Sequence, residues 1–313
     1  MSTFPIDAVI TWVDGGDPVH AAKMRPFLAG PATGDEDVAG TTRYASIGEI
    51  HWCVASLRKF APFLRTIWLV TDGQDPHIAE GGIPVKVVDH KDIFDGDYSK
   101  ALPVFNSPAI ESLTWRIPGL AEHYIELNDD FMLCAPVSED DFFLQDGTPV
   151  CYAGWHSIPL TRLTRAIKPV RHGHKKVTFK GLMLNGARRA GACWRYLKLD
   201  HTPRPLLRSF FEQWYAAHPD MLWENISFRF RDAAQFTSEE ILYIRLQREG
   251  KLCLRPVKDV LFYMEPKHKK DYVPRKMAKL RAGAYKFCCF NSLDKADEAE
   301  RKLVLDWIDA LLA

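Results

Sequence analysis

Three short apolar segments of this 313-residue chain are each followed directly by a polar cluster. Residues 6–13 (IDAVITWV) run into DGGDP, residues 66–71 (TIWLVT) into DGQ, and residues 124–127 (YIEL) into NDD. Their β-branched and aromatic content predicts buried strands, and VKVV at 85–88 predicts a fourth strand. Ligands of an open parallel sheet bind beyond the carboxyl ends of its strands. The polar clusters therefore mark the expected position of a site.

Apolar residues at helical spacing separate and follow these strands. They predict helices over 47–60, 107–116, 210–217, 238–248 and 295–312. A segment rich in Gly, Pro, Asp and Thr, 30–42, predicts a loop. Alternation of strands and helices predicts an α/β fold with a Rossmann-like, mainly parallel sheet. We expect residues 1–150 to form most of that sheet, and residues 151–313 to form a helix-rich second half that closes over it.

The two halves carry opposite charge although the net charge is only +1. Residues 1–150 contain 10 Lys/Arg and 23 Asp/Glu, whereas residues 151–313 contain 31 and 17. A junction between an acidic and a basic half suits a complex of a metal with a phosphate-containing substrate. The alternative is that the halves neutralise each other across an interface.

Composition excludes several classes of protein. A chain with 47% hydrophobic and 26% charged residues is of ordinary globular type. It has no apolar run near the ~20 residues of a transmembrane helix, and its first residues do not form a signal peptide. We expect a cytoplasmic protein, with peripheral attachment to a membrane as the alternative. Seven cysteines without a C-x-x-C pair predict reduced thiols.

The triplet Asn128-Asp129-Asp130 is the strongest candidate for chemistry. Two carboxylates after a buried strand can ligate a divalent cation that bridges a diphosphate. The alternative is a turn that caps a helix, and a tight turn is equally the alternative for Asp14 in DGGDP. Asn106 and Ser107, before Pro108, are typical of a capped helix start. Phosphate-loop motifs such as G-x-G-x-x-G after the first strand and G-x-x-x-x-G-K-[ST] are absent from the sequence.

Four ordered blocks of sequence resemble the signature blocks of the Stealth family of sugar-phosphate transferases. That family includes bacterial capsule polymerases and the lysosomal-enzyme N-acetylglucosamine-1-phosphotransferase. The blocks cover about two thirds of the chain, and the segment from LPVFNSPAIES to NDD is their most specific part. The first two blocks comprise IDAVITWVDGGDP (6–18), RY (43–44), SLRKFAP (56–62) and the segment from LPVFNSPAIES (102–112) to NDD (128–130). The third block runs from DHTP (200–203) to FR (230–231), and the fourth is YKFCCFN (285–291).

The resemblance implies transfer of hexose-1-phosphate, such as GlcNAc-1-phosphate, from a UDP-sugar to a hydroxyl of a glycan or polysaccharide acceptor. The transfer makes a phosphodiester and releases UMP. The fold would be similar to glycosyltransferase A, with a nucleotide-sugar-binding half and a second half that completes the active site. The implied catalytic residues are Asp130, His201 and Arg231. The implied substrate-binding residues are Asp14, Arg43, Asn106, Ser107, Glu111, Asn128 and Asn291.

Two features leave the arginine assignment open. Relatives usually carry an acid four residues after it, where this chain has Gln235. Arg229 is also an alternative to Arg231 as the phosphate ligand.

The same chemistry can be argued from residue types. A diphosphate needs Mg²⁺ or Mn²⁺, here through Asp129 and Asp130, and an arginine to stabilise the transferred phosphoryl group. His201 is the candidate to take the acceptor proton, to protonate the leaving group, or to form a phosphohistidine intermediate. His51, His77, His90 and His123 are expected to be structural. The open alternatives are a conventional glycosyltransferase that releases UDP and a non-catalytic binding module.

Residues 161–189 contain nine Lys/Arg and no Asp/Glu. Such a run is either a solvated face or a binding surface for an anion. No nucleic-acid recognition motif accompanies it, so nucleic acid is not expected as a partner. We expect this basic segment on the acceptor side of the site.

Overall fold

The computed structural model of the protein describes residues 4–28, 47–167, 177–267 and 269–313. The segment predicted as a loop at 30–42, and residues 168–176 of the basic segment, lie outside this range. Eleven strands lie in the described residues: β1 (Ile6–Thr11), β2 (Ile67–Thr71), β3 (Val85–Asp89), β4 (His123–Asn128), β5 (Phe131–Leu133), β6 (Val150–Ser157), β7 (Arg195–Leu199), β8 (Arg204–Leu207), β9 (Cys253–Arg255), β10 (Leu261–Met264) and β11 (Phe287–Phe290).

The central sheet has the strand order β3-β2-β1-β4-β8. Strands β1 to β4 are parallel, and β8 runs antiparallel to β4. The predicted α/β fold with a mainly parallel sheet is therefore confirmed. Because β8 is antiparallel, its first residue lies near the carboxyl end of β4. The residues just before β8 thus reach the sheet edge where the NDD triplet lies.

Strands from both halves of the chain share sheets. Strand β8 completes the central sheet, and β5 pairs with β11 in the order β10-β11-β5. The third sheet has the order β7-β6-β9. The amide of Phe290 donates to the carbonyl of Asp130 at 3.3 Å, which places the end of β11 beside the NDD triplet.

Eleven α-helices accompany the strands within the described ranges. They are α1 (Pro18–Leu28), α2 (Glu49–Phe60), α3 (His90–Ile93), α4 (Ser107–Glu111), α5 (Ile158–Ile167), α6 (Phe179–Arg189), α7 (Arg208–Ala217), α8 (Pro219–Ile226), α9 (Ser238–Arg248), α10 (Tyr272–Ala282) and α11 (Glu298–Leu312). None of those helices has both the length and the apolar character that crossing a membrane requires.

The helix predicted over 107–116 is wrong in its second half. It ends at Glu111, and residues 114–116 form a separate 3₁₀ turn. Asn225 Nδ2 donates a 2.7 Å hydrogen bond to the buried Ser112 hydroxyl, and the Leu113 amide turns to the Ile110 carbonyl at 2.9 Å. This tighter i to i+3 bond ends the α-helix. Asn225 belongs to α8, so the spacing of apolar residues within 107–116 does not predict where the helix ends.

Asp7 ties the starts of three central strands together from inside the core. Its side chain is 0% exposed and accepts hydrogen bonds from Arg65 Nε at 2.8 Å, from Trp68 Nε1 at 2.9 Å and from the Ala121 amide at 2.9 Å. These donors precede or begin β2 and β4. A buried carboxylate is tolerated when it is paired and hydrogen-bonded in this way. Asp7 therefore fixes the sheet at the edge opposite the site.

Candidate active site

The carboxyl ends of the central strands open into a pocket of about 160 Å³. Thr11 and Asn128, the last residues of β1 and β4, line it together with Asp129, which follows β4. Ser107 and Arg231 also line the pocket. Five residues that the sequence nominated for the site thus line one pocket: Asn106, Ser107, Asn128, Asp129 and Arg231.

Asp130 turns toward residues from the second half of the chain. One ligand-capable atom from each of Asp130, His201 and Cys289 lies within 4.8 Å of the others. Asn291 Nδ2 donates to Asp130 Oδ2 at 3.3 Å, and Cys289 Sγ donates to the same oxygen at 3.4 Å. Residues 71 to 161 positions apart from Asp130 in sequence therefore surround its carboxylate.

The ring of His201 is held by aromatic neighbours. It stacks on Tyr263 with a centroid distance of 4.7 Å and meets Phe131 edge-on at 5.8 Å. Phe179 lies at 6.2 Å. These contacts hold the imidazole beside Asp130 at the start of β8. A base held in one orientation is suited to proton transfer.

Burial changes the pKa values of both His201 and Asp130. It lowers the pKa of His201 below its usual value, and the neighbouring Asp130 carboxylate opposes that shift. Burial raises the pKa of Asp130, opposed by His201 and by hydrogen bonds from Cys289 and Asn291. The two pKa values are thus moved toward each other. A histidine that is neutral near pH 7 can accept a proton.

Asp129 occupies a different environment from Asp130 although the two are adjacent. It lines the pocket with Ser107, whereas Asp130 faces His201. Burial raises the pKa of Asp129 well above its usual range, and the carboxylates of Asp130 and Glu49 add to this. Such a carboxylate is stabilised in its charged form by a cation.

The donor set can be tested against a divalent cation. Asp130 Oδ1 and Asn128 Oδ1 are buried and have no hydrogen-bond partner among the described residues. Carboxylate and amide oxygens are ligands that Mg²⁺ and Mn²⁺ accept, so these atoms fit such an ion. His201 and Cys289 lie in the same cluster, but a thiol sulfur is a ligand of softer metals.

Arg231 and Arg229 have different surroundings. Arg231 lines the pocket, and its Nη2 donates to Ser107 Oγ at 2.7 Å. Arg229 Nη1 donates to the Pro103 carbonyl at 2.8 Å, and its guanidinium lies 4.0 Å from the ring centroid of Phe27. Only Arg231 of the two lies in the pocket wall. Arg229 instead holds the loop before α4.

Asn106 begins α4 and is linked to the segment that carries Arg231. Its side-chain oxygen accepts from the Ala109 amide at 3.0 Å and from Gln235 Nε2 at 2.9 Å. Gln235 also donates to the Asn225 carbonyl at 2.8 Å, and its Oε1 accepts from the Asp232 amide at 2.9 Å. Gln235, the position at which this chain departs from the family pattern, is therefore a buried residue that links Asn106 in the pocket wall to Asn225 and Asp232.

Glu111 does not line the pocket. It lies in a cluster with Glu126 and Glu239 whose carboxylate oxygens are within 4.8 Å of one another. The buried Arg204 is 3.0 Å from Glu239 and 3.7 Å from Glu126. Burial raises the pKa of Glu126 well above its usual range. The cluster links β4, which contains Glu126, to β8, which begins at Arg204.

Asp14 closes a turn, as its alternative assignment anticipated. Its Oδ1 accepts from the Gly16 amide at 2.8 Å, and its backbone is bound by Gln74. It does not line the pocket. Arg43 lies outside the described residues.

Two histidines in the pocket wall were not nominated from the sequence. His20, in the first turn of α1, and His90, the first residue of α3, line the pocket, and His90 was expected to be structural. His20 Nδ1 lies 2.9 Å from Asp72 Oδ2, and Lys23 Nζ donates to Asp72 Oδ1 at 2.9 Å. The cluster after the second predicted strand, which includes Asp72, was the available signal.

The molecule is thus an α/β protein in which carboxylates, a histidine and an arginine converge at the carboxyl edge of a parallel sheet. Residues 4–31 match the family model of Stealth protein CR1, conserved region 1, and residues 43–151 match that of Stealth protein CR2, conserved region 2. The chain belongs to the Stealth family.

Proteins similar to this chain carry related names. An exopolysaccharide phosphotransferase of Streptomyces coelicolor is 36% identical over 241 residues, which are 77% of this chain and 39% of that protein. A capsular polysaccharide phosphotransferase of Haemophilus influenzae is 29% identical over 273 residues, which are 83% of this chain and 69% of that protein. The chain spans about two fifths of the length of the first curated relatives it matches.

Among solved structures, mouse xyloside xylosyltransferase 1 in its apo form is similar with a TM-score of 0.41 and 10% identity. The alignment covers 92% of this chain and 98% of that chain.

Proposed function

We propose that this chain is a sugar-phosphate transferase that moves hexose-1-phosphate from a UDP-sugar to a hydroxyl of a glycan acceptor. The observation that carries the proposal is the convergence of Asp130 with His201 beside the pocket that holds Arg231. The names of the polysaccharide phosphotransferases to which the chain is similar support the same reaction.

The proposed reaction breaks a P–O bond and leaves the sugar C–O bond intact. The acceptor oxygen attacks the β-phosphorus and forms the new P–O bond. The bond between that phosphorus and the bridging oxygen breaks, and UMP leaves with the bridging oxygen. The acceptor proton passes to the neutral imidazole of His201, whose pKa is lowered by burial.

Arg231 and Ser107 act on the transferred group. A guanidinium can bind phosphate oxygens with two parallel hydrogen bonds and stabilise the charge that develops on them. The hydrogen bond to Ser107 holds Arg231 in the pocket wall at one position. Holding such a donor before the reaction avoids reorganisation during it.

Asp130 and Asn128, with Asp129 on the pocket side, would hold the divalent cation. When bound, Mg²⁺ or Mn²⁺ supplies neutralisation of the diphosphate charge. Asn291 keeps the carboxylate of Asp130 oriented through its 3.3 Å hydrogen bond. The basic segment 161–189 would take an anionic acceptor, and Lys175 and Lys176 in that segment lie outside the described residues.

The released nucleotide tests the proposal. The purified chain is incubated with UDP-GlcNAc, Mg²⁺ and an oligosaccharide acceptor, and products are followed by phosphorus NMR. We expect UMP and a phosphodiester signal. Release of UDP with a glycosidic product would identify a conventional glycosyltransferase. Binding of UDP-GlcNAc without any product, across a panel of acceptors, would identify a binding module.

A further inference from the structure

The pocket extends from the NDD triplet across the sheet to a pair of histidines. Strand β3, which precedes His90, is separated from β4 by β2 and β1. Three strand spacings amount to roughly 14 Å. Asp129, which follows β4, and His90, which follows β3, both line the pocket. One extended ligand can therefore contact both residues.

His90 brings an unused polar atom to the pocket. The residue is 3% exposed, and its Nε2 has no hydrogen-bond partner in the part of the chain that the structure describes. The nearby Asp72 carboxylate does not serve it, because its two oxygens accept from Lys23 and pair with His20. A buried polar atom without a partner is destabilising, and a hydrogen bond with a ligand atom would offset that cost.

The surroundings of His90 select a neutral, planar ligand group. Burial lowers the pKa of His90 to about 4, so its imidazole is uncharged near pH 7. Trp12, Val104 and Phe105 supply an apolar wall to the same pocket. A phosphate group suits the charged guanidinium of Arg231, whereas an uncharged heteroaromatic ring with hydrogen-bonding edges suits His90.

We infer that His90 contacts the nucleobase of the nucleotide donor through Nε2. The inference rests on the proposed function for the placement of the diphosphate between Asp129 and Arg231. From that position the base extends over the ends of β1 and β2 toward α3. His90 is then a residue that determines the base specificity of the donor.

Calorimetric binding of UDP and of pyrophosphate, both with Mg²⁺, tests this inference on the full chain. His90→Phe keeps an aromatic ring but removes the nitrogen atoms. We expect the Kd for UDP to rise about tenfold, the loss of one hydrogen bond, and the Kd for pyrophosphate to stay within twofold. His90→Gln, which keeps a hydrogen-bonding group, should fall between the wild type and His90→Phe.

His123→Phe is the matched control. His123 Nδ1 is also buried and unpartnered within the described ranges, but this residue begins β4 at the opposite edge of the sheet and stacks on Phe4 at 3.9 Å. Its replacement should leave both affinities unchanged. A second measurement uses only the wild-type protein. The ¹⁵N NMR signal of His90 Nε2 should shift on addition of UDP and not on addition of pyrophosphate.

The outcomes separate this inference from the proposed function. An unchanged Kd for UDP in His90→Phe, an equal loss for both ligands, or a His90 signal that ignores UDP overturns the inference. Equal affinity of the wild type for UDP and pyrophosphate also overturns it. Failure of the wild type to bind either ligand overturns both proposals. Release of UDP instead of UMP during turnover overturns the proposed reaction and leaves the role of His90 standing.

Discussion

Arg231 Nη2 donates a 2.7 Å hydrogen bond to the hydroxyl of Ser107, which joins two segments of the pocket wall that lie 124 positions apart in sequence. Ser107 is the first residue of α4, and Arg231 follows α8 in an irregular segment. The pair holds a positive charge in the wall of the pocket that Asp129 also lines. This arrangement makes Arg231, rather than its neighbour Arg229, the residue to test.

We expect Arg231→Lys to lower kcat of sugar-phosphate transfer at least tenfold, because lysine cannot reproduce the planar, two-pronged contact with a phosphate. Arg229→Lys is the matched control. It should reduce thermal stability through loss of the Pro103 and Phe27 contacts while kcat changes little. Initial rates and melting temperatures of both variants check the prediction. The reverse pattern of rates would assign the phosphate ligand to Arg229.

Asp130→Asn should abolish transfer without unfolding the protein. The amide keeps the size of the side chain and removes a carboxylate whose charged form is disfavoured by burial. We therefore expect a melting temperature equal to or above that of the wild type. Excess chelator should inactivate the wild type, and added Mg²⁺ or Mn²⁺ should restore it. Asp14→Asn, in the turn before α1, should keep the wild-type rate, and full activity in chelator would remove the metal from the scheme.

His201→Ala should lower kcat by about 10² or more while the Kd for UDP barely moves, because proton transfer contributes mainly in the transition state. Incubating the wild type with UDP-sugar and no acceptor separates the two routes through His201. Direct transfer predicts no stoichiometric burst of UMP. A burst together with a sugar-phosphate adduct on His201 in the mass spectrum would establish a covalent intermediate. Near-wild-type kcat in the variant would return His201 to a structural role.

Gln235→Glu should destabilise the fold by about 1–3 kcal/mol at pH 7. Gln235 is 0% exposed, and its Nε2 donates to two acceptors, Asn106 Oδ1 and the Asn225 carbonyl. A glutamate carboxylate would place an acceptor oxygen next to those two acceptors and could donate to neither of them. Gln213→Glu, on the exposed side of α7, is the matched control and should have little effect. Urea unfolding at pH 7 measures both changes, and equal stability of the two variants would contradict the bridging role.

Stability should fall on acidification because of His90. Its folded pKa of about 4 lies below the unfolded value of about 6.5, since burial and the charges of His20 and Lys23 outweigh Asp72 and Asp89. As pH falls, the unfolded chain binds this proton before the folded protein does. The free energy of unfolding is therefore unaffected by His90 above pH 6.5 and decreases as pH falls from 6.5 to 4. The loss amounts to about 3 kcal/mol.

Urea unfolding across that pH range checks the prediction. His90→Gln should show a shallower pH dependence than the wild type, whereas His77→Gln at an exposed position should follow the wild type. Parallel curves for wild type and His90→Gln would mean that other groups govern the acid loss.

Local sequence determined the strands, the parallel sheet and the position of the NDD triplet at the end of β4. The β-branched and aromatic residues that predict a strand lie within a few positions of one another, and the alternation of strands with helices predicts a parallel sheet. The helices at 47–60 and 238–248 follow from apolar periodicity in the same way, and the structure places them at Glu49–Phe60 and Ser238–Arg248. The family blocks supplied His201 and Asn291, which the structure brings to Asp130. These residues needed the resemblance because they lie far along the chain.

Tertiary structure alone decided which polar residues face the pocket. Arg229 and Arg231 are alike in sequence, and only their contacts with Pro103 and Ser107 separate them. Glu111 lies in a cluster with Glu126 and Glu239, which pairs with the buried Arg204, and it does not line the pocket. His90 reaches the pocket because β3 ends at the same sheet edge as β4. Burial and long-range pairing set these roles, and neither is encoded in the spacing of neighbouring residues.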